Sequence, residues 1–227
     1  MKSIVSRAPY PRKKSKTTSA RSLKHKKKLK VAVFCSGYGS NLEALIRSQK
    51  QGVLGAEICL VVSDNPESYA LVRAKEHGIP VFLVEPKFYE SRRTYEERIA
   101  KVLKAKDIGL VVLAGFMRIL TPYFTKAYRG KILNIHPALL PAFRGAHAIR
   151  DAFRHGSKVT GVTVHFVTPE LDSGPIILQE PVTRTEKDTL ATLEAKIHKV
   201  EHRLYAKAVR LFAKKRLKVN GRSVRVL

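Results

Sequence analysis

The sequence has few cysteines and no long apolar run. Only two cysteines occur among 227 residues, Cys35 and Cys59, and each lies in a short apolar segment. Two cysteines are too few for a disulfide framework, which favours a reducing compartment. No apolar run approaches the roughly 20 residues that a membrane-spanning helix needs. The composition therefore predicts a globular domain of about 200 residues with a full hydrophobic core and no membrane partner.

Acidic residues are missing from residues 1–30, which hold 12 of the 44 Lys and Arg residues. This segment also lacks the apolar stretch of a secretory signal. We expect residues 1–29 to be a basic, disordered tail, with non-specific contact to a polyanion such as RNA as an alternative. The tail partly resembles an organellar transit peptide, so the predicted location is the cytoplasm, with an organelle as the alternative. Residues 31–227 still carry a net charge of +14, which attracts anionic substrates.

A dinucleotide-binding loop is present only in part. Gly37-Tyr38-Gly39-Ser40-Asn41 follows a predicted strand and begins a predicted helix, but Leu42 stands where the third glycine is required. No Walker lysine follows. Backbone N–H groups at a helix N-terminus bind anions, so the loop suits a phosphate better than a dinucleotide. A plain tight turn is the alternative.

Two other motifs of hydrolases are absent or incomplete. No G-x-S-x-G elbow occurs, which argues against a serine hydrolase. His198, Glu201 and His202 match the H-x-x-E-H spelling of some zinc hydrolases, but Val200 between them belongs to the apolar stripe of a predicted helix and no third ligand is evident. We therefore predict no metal. His198 and Glu201 lie one helical turn apart, where they either bind the hydroxyls of a polar ligand or belong to a basic surface.

Strand and helix patterns alternate along the first two thirds of the chain. The predicted strands cover residues 30–36, 57–62, 80–84, 110–114 and 131–135. Helical segments separate them, which predicts an α/β fold with a doubly wound, mostly parallel sheet. Residues 162–167 and 176–180 predict an antiparallel pair near the C-terminal half. Residues 189–215 predict the longest helix, and Asn220-Gly221 predicts a hairpin turn.

Three polar side chains stand at the predicted strand ends. Asn134 and His136 lie in Asn134-Ile135-His136-Pro137, and Asp172 lies in Leu171-Asp172-Ser173-Gly174. An amide can donate to a developing oxyanion, an imidazole can carry a proton, and a carboxylate can orient the imidazole. Singly, these residues are more often a turn cap or a satisfied histidine. Together they suit acyl transfer without a covalent enzyme intermediate.

Four segments resemble the folate-dependent formyltransferases, and in combination the phosphoribosylglycinamide formyltransferase family. They are Cys35 to Leu42, Val111 to Leu120, Leu133 to Pro141 and His165 to Pro175, within a resemblance that runs from about Lys30 to about Arg216. The resemblance implies a Rossmann-type catalytic domain over residues 30–227. It also implies transfer of the formyl group of 10-formyltetrahydrofolate to the amine of glycinamide ribonucleotide in purine biosynthesis, with no metal. A monomer or a homodimer fits this prediction.

The resemblance also assigns roles to individual residues. Asn134, His136 and Asp172 match the catalytic residues. The substrate phosphate would bind Gly39, Ser40 and Asn41, and the ribose hydroxyls would contact Glu201 and His198. Besides Asn134 and Asp172, the expected folate contacts are Arg92, Met117, Arg118, Ile119, Leu120, Thr168, Pro169, Glu170 and Leu171.

The chain departs from the family pattern at two loop positions, and three alternatives remain. Tyr38 stands where Asn is expected, and Arg144 stands where Pro is common. A methionyl-tRNA formyltransferase would suit the basic charge but carries a further C-terminal domain. A formyltetrahydrofolate hydrolase would use water as nucleophile but carries an N-terminal regulatory domain. A polyanion-binding protein on a retired enzyme scaffold would also explain the charge.

Overall fold

The computed structural model describes residues 28–227, so residues 1–27, and with them most of the predicted tail, lie outside the described residues. Nine strands are present: β1 (Leu29–Phe34), β2 (Ala56–Ser63), β3 (Val81–Leu83), β4 (Leu110–Leu113), β5 (Ile132–His136), β6 (Val159–Phe166), β7 (Ile176–Thr183), β8 (Leu217–Asn220) and β9 (Ser223–Val226). Six α-helices accompany them: α1 (Ser40–Lys50), α2 (Tyr69–Glu76), α3 (Arg92–Ala105), α4 (Pro122–Ala127), α5 (Ala148–Arg154) and α6 (Leu190–Ala213). A short 3-10 turn covers Pro86–Phe88.

The strands form one sheet in the order β3-β2-β1-β4-β5-β6-β7-β9-β8. Strands β1 to β5 are parallel, which confirms the doubly wound α/β prediction. The chain winds outward in one direction from β1 through β2 to β3, and in the other from β4 to β5. The order therefore reverses between β1 and β4, and open α/β sheets bind ligands at the carboxyl ends of the strands beside such a switch point.

The central strands are apolar on both faces. In β1, Val31 and Val33 pack into a core with α1, α2 and α6, whereas Ala32 and Phe34 pack into a second core with α3 and α4. Successive side chains of a strand point to opposite faces, so a continuous apolar run is what a sheet covered by helices on both sides requires. Cys35 is fully buried, and this burial raises the pKa of its thiol to about 12.

The antiparallel prediction is confirmed, with longer strands than expected. β6 pairs antiparallel with both β5 and β7. The predicted hairpin is β8–β9, whose turn contains Gly221 at φ +57°. Its attachment to β7 was not predicted, because strand pairing between distant segments leaves no mark in local periodicity.

Two further local features differ from the predictions. Helices α4 and α5 were missed, since six and seven residues are too few to show a helical period. Strand β5 ends at His136, one residue beyond the predicted end at residue 135, so His136 as well as Asn134 belongs to the strand itself. No helix within residues 28–227 is both long enough and apolar enough to cross a membrane.

Candidate active site

A cavity of about 700 Å³ opens at the carboxyl ends of β1, β4 and β5. Four loops and one helix line most of it: the loop after β1, the segment after β4, the loop after β5, the loop before β7, and α6. Every site residue predicted from the sequence except Arg92 is among its lining residues. Parallel strands end at the same edge of a sheet, which brings residues nearly 100 positions apart into one site.

His136 and Asp172 face each other at the end of β5. The His136 Nδ1 atom lies 3.5 Å from Asp172 Oδ2, and both side chains are buried. The other ring nitrogen, Nε2, donates to the Phe143 carbonyl at 2.7 Å. Asp172 Oδ2 also accepts from the Gly145 backbone N–H at 2.9 Å. The loop that contains Phe143 and Gly145 thus contacts both members of the pair.

Asn134 has a partner that the sequence did not single out. Its Nδ2 atom donates to His165 Nε2 at 3.2 Å, because Asn134 on β5 lies directly opposite His165 on β6. His165 Nδ1 donates to the Phe166 carbonyl at 2.8 Å, so the ring carries its proton on Nδ1 and accepts at Nε2. Burial lowers the pKa of His165, which favours this neutral form. A polar residue within the alternating pattern of β6 was the only local signal for it.

Asp172 adopts a left-handed backbone conformation, with φ +48°. Asp is one of the few residues besides glycine that tolerate this region. Two residues later, the Gly174 backbone passes against β6, where an added Cβ would lie 1.8 Å from the Phe166 carbonyl oxygen. The loop before β7 therefore needs Gly174 in order to bring Asp172 to His136.

The Gly37–Asn41 loop exposes unpaired donors to the cavity. Gly39 precedes α1 at φ +75°, and a Cβ there would lie 2.8 Å from Ala70 Cβ. The N–H groups of Gly39, Ser40 and Asn41 donate to no other described residue. A helix N-terminus with free N–H groups attracts anions.

Glu201 lies at the same end of the cavity as this loop. It is only 4% exposed and accepts from Asn41 Nδ2 at 3.2 Å and from His198 Nδ1 at 2.8 Å. The hydrogen bond to Glu201 raises the pKa of His198, whereas burial lowers the pKa of the neighbouring His202. Asn41 Oδ1 and His202 Nε2 are buried without a hydrogen-bond partner among the described residues, so polar atoms remain for a ligand.

The zinc-like spelling of α6 does not assemble a metal site. Within the part of the chain that the structure describes, no group of three or more His, Cys, Asp or Glu side chains is placed to hold a metal ion. His198 and Glu201 bind each other instead. Of the two interpretations that remained open for this pair, its place in the cavity lining favours contact with a polar ligand.

The segment after β4 is held from two sides. Met117 N donates to Ser36 Oγ at 2.9 Å, and Arg118 Nε lies 2.8 Å from Asp64 Oδ2. The side chains of Met117 and Ile119 are largely exposed. Arg92 lies outside the lining of the large cavity. It borders an adjoining cavity of about 200 Å³ and donates to the Ile119 carbonyl.

The two departures from the family pattern both make specific contacts. Tyr38 is 68% exposed, and its ring stacks on Tyr69 with 5.3 Å between centroids. Arg144 Nη1 lies 3.5 Å from Glu170 Oε1, which links the loop after β5 to the loop before β7.

Comparison with known proteins identifies the family. Residues 29–209 match the formyl transferase family model. The phosphoribosylglycinamide formyltransferase of Bacillus subtilis is 45% identical over 181 residues, which cover 80% of this chain and 93% of the relative. The crystal structure of glycinamide ribonucleotide transformylase 1 from Symbiobacterium toebii is 43% identical with a TM-score of 0.86, covering 88% of this chain and 94% of that one.

A formyltetrahydrofolate deformylase from Pseudomonas syringae shares the fold at lower identity. Its TM-score is 0.82 and its identity is 28%, and the match covers 88% of this chain but 66% of that one. The chain belongs to the formyl transferase family, among the phosphoribosylglycinamide formyltransferases.

Proposed function

We propose that this protein transfers the formyl group of 10-formyltetrahydrofolate to the amine of glycinamide ribonucleotide, a step of purine biosynthesis. One observation carries the proposal. The Asn134–His136–Asp172 group and the free N–H groups of the Gly37–Asn41 loop line one continuous cavity. Such a cavity can hold a phosphorylated amine at one end and a formyl carbon at the other. The relatives above carry the name of this activity.

The amine substrate would bind along the side of the cavity formed by α1 and α6. Its phosphate would accept hydrogen bonds from Gly39, Ser40 and Asn41, whose N–H groups have no other partner among the described residues. Its ribose hydroxyls would donate to Glu201, a buried carboxylate whose hydrogen-bond partners within residues 28–227 are Asn41 and His198. A ribose without a phosphate would lose the first set of contacts and bind weakly.

The folate would bind along Met117–Leu120 and against Thr168–Asp172. The exposed apolar side chains of Met117, Ile119 and Leu171 offer contact area to a flat ring system. Arg92 and Arg118, on the adjoining small cavity, supply positive charge for the carboxylates of the folate. Binding of both substrates in one cavity lowers the entropic part of the barrier.

Asn134 and His136 would stabilise the tetrahedral intermediate. When the amine attacks the formyl carbon, negative charge develops on the carbonyl oxygen. The second hydrogen of Asn134 Nδ2 is available to this oxygen, because the first is donated to His165. His136 donates to the Phe143 carbonyl, and the developing oxyanion would replace that carbonyl as acceptor. Asp172 would hold the imidazole in the orientation that this hydrogen bond needs.

Collapse of the intermediate completes the transfer. The bond between the formyl carbon and the folate nitrogen breaks, and the proton lost by the attacking amine moves to that nitrogen, directly or through water. His136 is the residue placed to carry it. The predicted absence of a metal, the monomer or homodimer, the cytoplasmic location and the polyanion contact of the tail all stay predictions.

The experiment is a formyl-transfer assay with the purified protein. The mixture contains 10-formyltetrahydrofolate and glycinamide ribonucleotide, the folate absorbance is followed, and a control omits the amine. Amine-dependent turnover is expected. Folate consumption without the amine would instead identify a hydrolase, the activity named for the 28% identical deformylase. No reaction in either mixture would reject the proposal. Charged initiator tRNA as substrate would then test the tRNA formyltransferase alternative, and a measurement of salt-sensitive RNA binding would test the retired-scaffold alternative.

A further inference from the structure

Helix α2 and the residue before it, Ser68, donate hydrogen bonds to two backbone carbonyl groups of the Gly37–Asn41 loop. The Gly37 carbonyl accepts from Ser68 Oγ at 2.8 Å and from the Ala70 backbone N–H at 3.2 Å. The Tyr38 carbonyl accepts from Arg73 Nε at 3.1 Å. Two successive peptide groups of the loop are thus anchored by their oxygen atoms to one helix.

This anchoring determines where the N–H groups of the loop point. The peptide bonds after Gly37 and Tyr38 are trans, and in a trans peptide the C=O and N–H groups point in opposite directions. A Tyr38 carbonyl directed at Arg73 therefore turns the Gly39 N–H away from α2. That N–H has no partner among the described residues, and Gly39 lines the cavity.

Arg73 is itself held in one position by its surroundings. Its guanidinium lies 4.6 Å from the centroid of the Tyr38 ring and 4.9 Å from that of Tyr69. Its Nη1 atom lies 3.3 Å from Glu43 Oε2 on α1, and its side chain is only 15% exposed. A planar cation that stacks on aromatic rings and donates in fixed directions suits this geometry.

We propose that Arg73 is a positioning residue for phosphate binding, and that Tyr38 and Tyr69 form the aromatic surface that orients it. Arg73 acts through the loop backbone, because its Nε and Nη1 donors are engaged with the Tyr38 carbonyl and with Glu43. The inference rests on the proposed function, which places the substrate phosphate at this loop. It also gives Tyr38, the departure from the family pattern, a structural role.

The test compares Arg73→Ala with Lys75→Ala, an exposed residue on the same helix whose loss removes the same charge. We expect Arg73→Ala to raise the KM for glycinamide ribonucleotide about tenfold, the effect of losing one well-placed hydrogen bond. The kcat and the KM for the folate should change less than about twofold. In Arg73→Ala the inhibition constant of inorganic phosphate should rise together with the KM for glycinamide ribonucleotide. Lys75→Ala should leave both constants unchanged.

A conservative variant separates position from charge. Arg73→Lys keeps the positive charge but lacks the planar fork, so it should recover little of the loss. Full recovery in Arg73→Lys, or an equal effect of Lys75→Ala, would show that charge alone matters and overturn the proposal. Equal effects of Arg73→Ala on both KM values and on kcat would indicate a general structural role and also overturn it.

Two further measurements keep the outcome clear. If Arg73→Ala does not fold, Tyr38→Ala takes its place, because it removes one of the two rings that contact Arg73 and lies at an exposed position. The inhibition constant of inorganic phosphate should then rise about threefold. No rise would reject the proposal. Calorimetric binding of glycinamide ribonucleotide without folate needs no turnover. Binding that weakens in Arg73→Ala while the wild type shows no formyl transfer would reject the proposed function and support the role of Arg73.

Discussion

Asp172 combines three properties that few residues can supply together. Its backbone is left-handed, its Oδ2 atom faces His136, and the same oxygen accepts the Gly145 N–H. A carboxylate that faces a histidine orients the ring. Asparagine tolerates the same backbone region and has the same shape. The substitution Asp172→Asn therefore isolates the charge.

We predict that Asp172→Asn folds and binds both substrates but loses at least about 10²-fold in kcat, because His136 loses its charged partner. Steady-state kinetics with each substrate varied, and circular dichroism of the variant, measure the two parts. Turnover close to that of the wild type would contradict the proposed role of Asp172.

At the scale of the elements, α6 combines a core-facing stripe with a polar site. Leu193, Ile197 and Leu204 are buried in the core as the helical spacing predicts, but Glu201 is buried too. The sequence left two possibilities for Glu201, contact with the hydroxyls of a polar ligand or a place on a basic surface. Its burial follows from the contact with Asn41 on α1, which only the packing of α1 against α6 creates.

We predict that His198 and His202 of α6 contribute to the free energy of unfolding with opposite pH dependences. The Glu201 hydrogen bond raises the pKa of His198, so its contribution to the free energy of unfolding is present at low pH and is lost as the pH rises from about 6.5 through the raised value. Burial lowers the pKa of His202, so its contribution is present above about 6.5 and is lost as the pH falls through the lowered value.

Thermal unfolding of His198→Gln and His202→Gln between about pH 5 and 9 measures these contributions. The destabilisation by His198→Gln should be larger at the acidic end, and the destabilisation by His202→Gln should be larger at the alkaline end. The two variants serve as controls for each other. The same slope in both would show that the Glu201 contact does not control His198.

The loop before β7 depends on a glycine for steric reasons. A Cβ on Gly174 would meet the Phe166 carbonyl, which is backbone and cannot move aside. We predict that Gly174→Ala displaces Asp172, lowers kcat more than tenfold and lowers the free energy of unfolding by about 2 kcal/mol or more.

Gly109→Ala provides the matched control for Gly174→Ala. Its Cβ would lie 2.7 Å from the Leu29 Cδ1 atom, the end of a flexible side chain, and in ordinary van der Waals contact with the Lys30 carbonyl oxygen at 3.8 Å. Both neighbours lie at the opposite ends of the strands from the cavity. Kinetics and urea unfolding of both variants make the comparison. Equal losses of kcat would show that Gly174 has no special link to the site.

At the scale of the whole molecule, the site exists because the strand order reverses. After β1 the chain leads to α1 on one face of the sheet, whereas after β4 it leads to α4 on the other face. The cavity opens at these strand ends, and α6 lines one side of it. The residues proposed for catalysis and for binding of both substrates all lie between residues 39 and 201.

We predict that deletion of residues 1–28 leaves kcat and both KM values within about twofold, because the proposed machinery lies outside the deleted segment. Full-length and truncated proteins are compared in the same formyl-transfer assay at two salt concentrations. A large loss of turnover would show that the tail contributes to the site. A loss of salt-sensitive RNA binding alone would assign the polyanion contact to the tail.

The local pattern of the chain was enough for much of this description. Alternating apolar segments predicted the parallel sheet and the antiparallel pair, since burial on one or both faces imposes its period directly on the residues. The Gly37–Asn41 loop and the two segments that contain Asn134, His136 and Asp172 identified the candidate site and the family. Each backbone turn and each chemical group of such a site requires particular residue types.

Tertiary structure alone decided the contacts between distant segments. Three hydrogen bonds are examples: Asn134 to His165, Asn41 to Glu201, and Arg73 to the Tyr38 carbonyl. Their partners lie 31, 160 and 35 positions apart in the chain. None of these contacts has a local period or spacing. They follow from strand register and helix packing, which depend on the energy of the whole core and place each side chain only after the chain has folded.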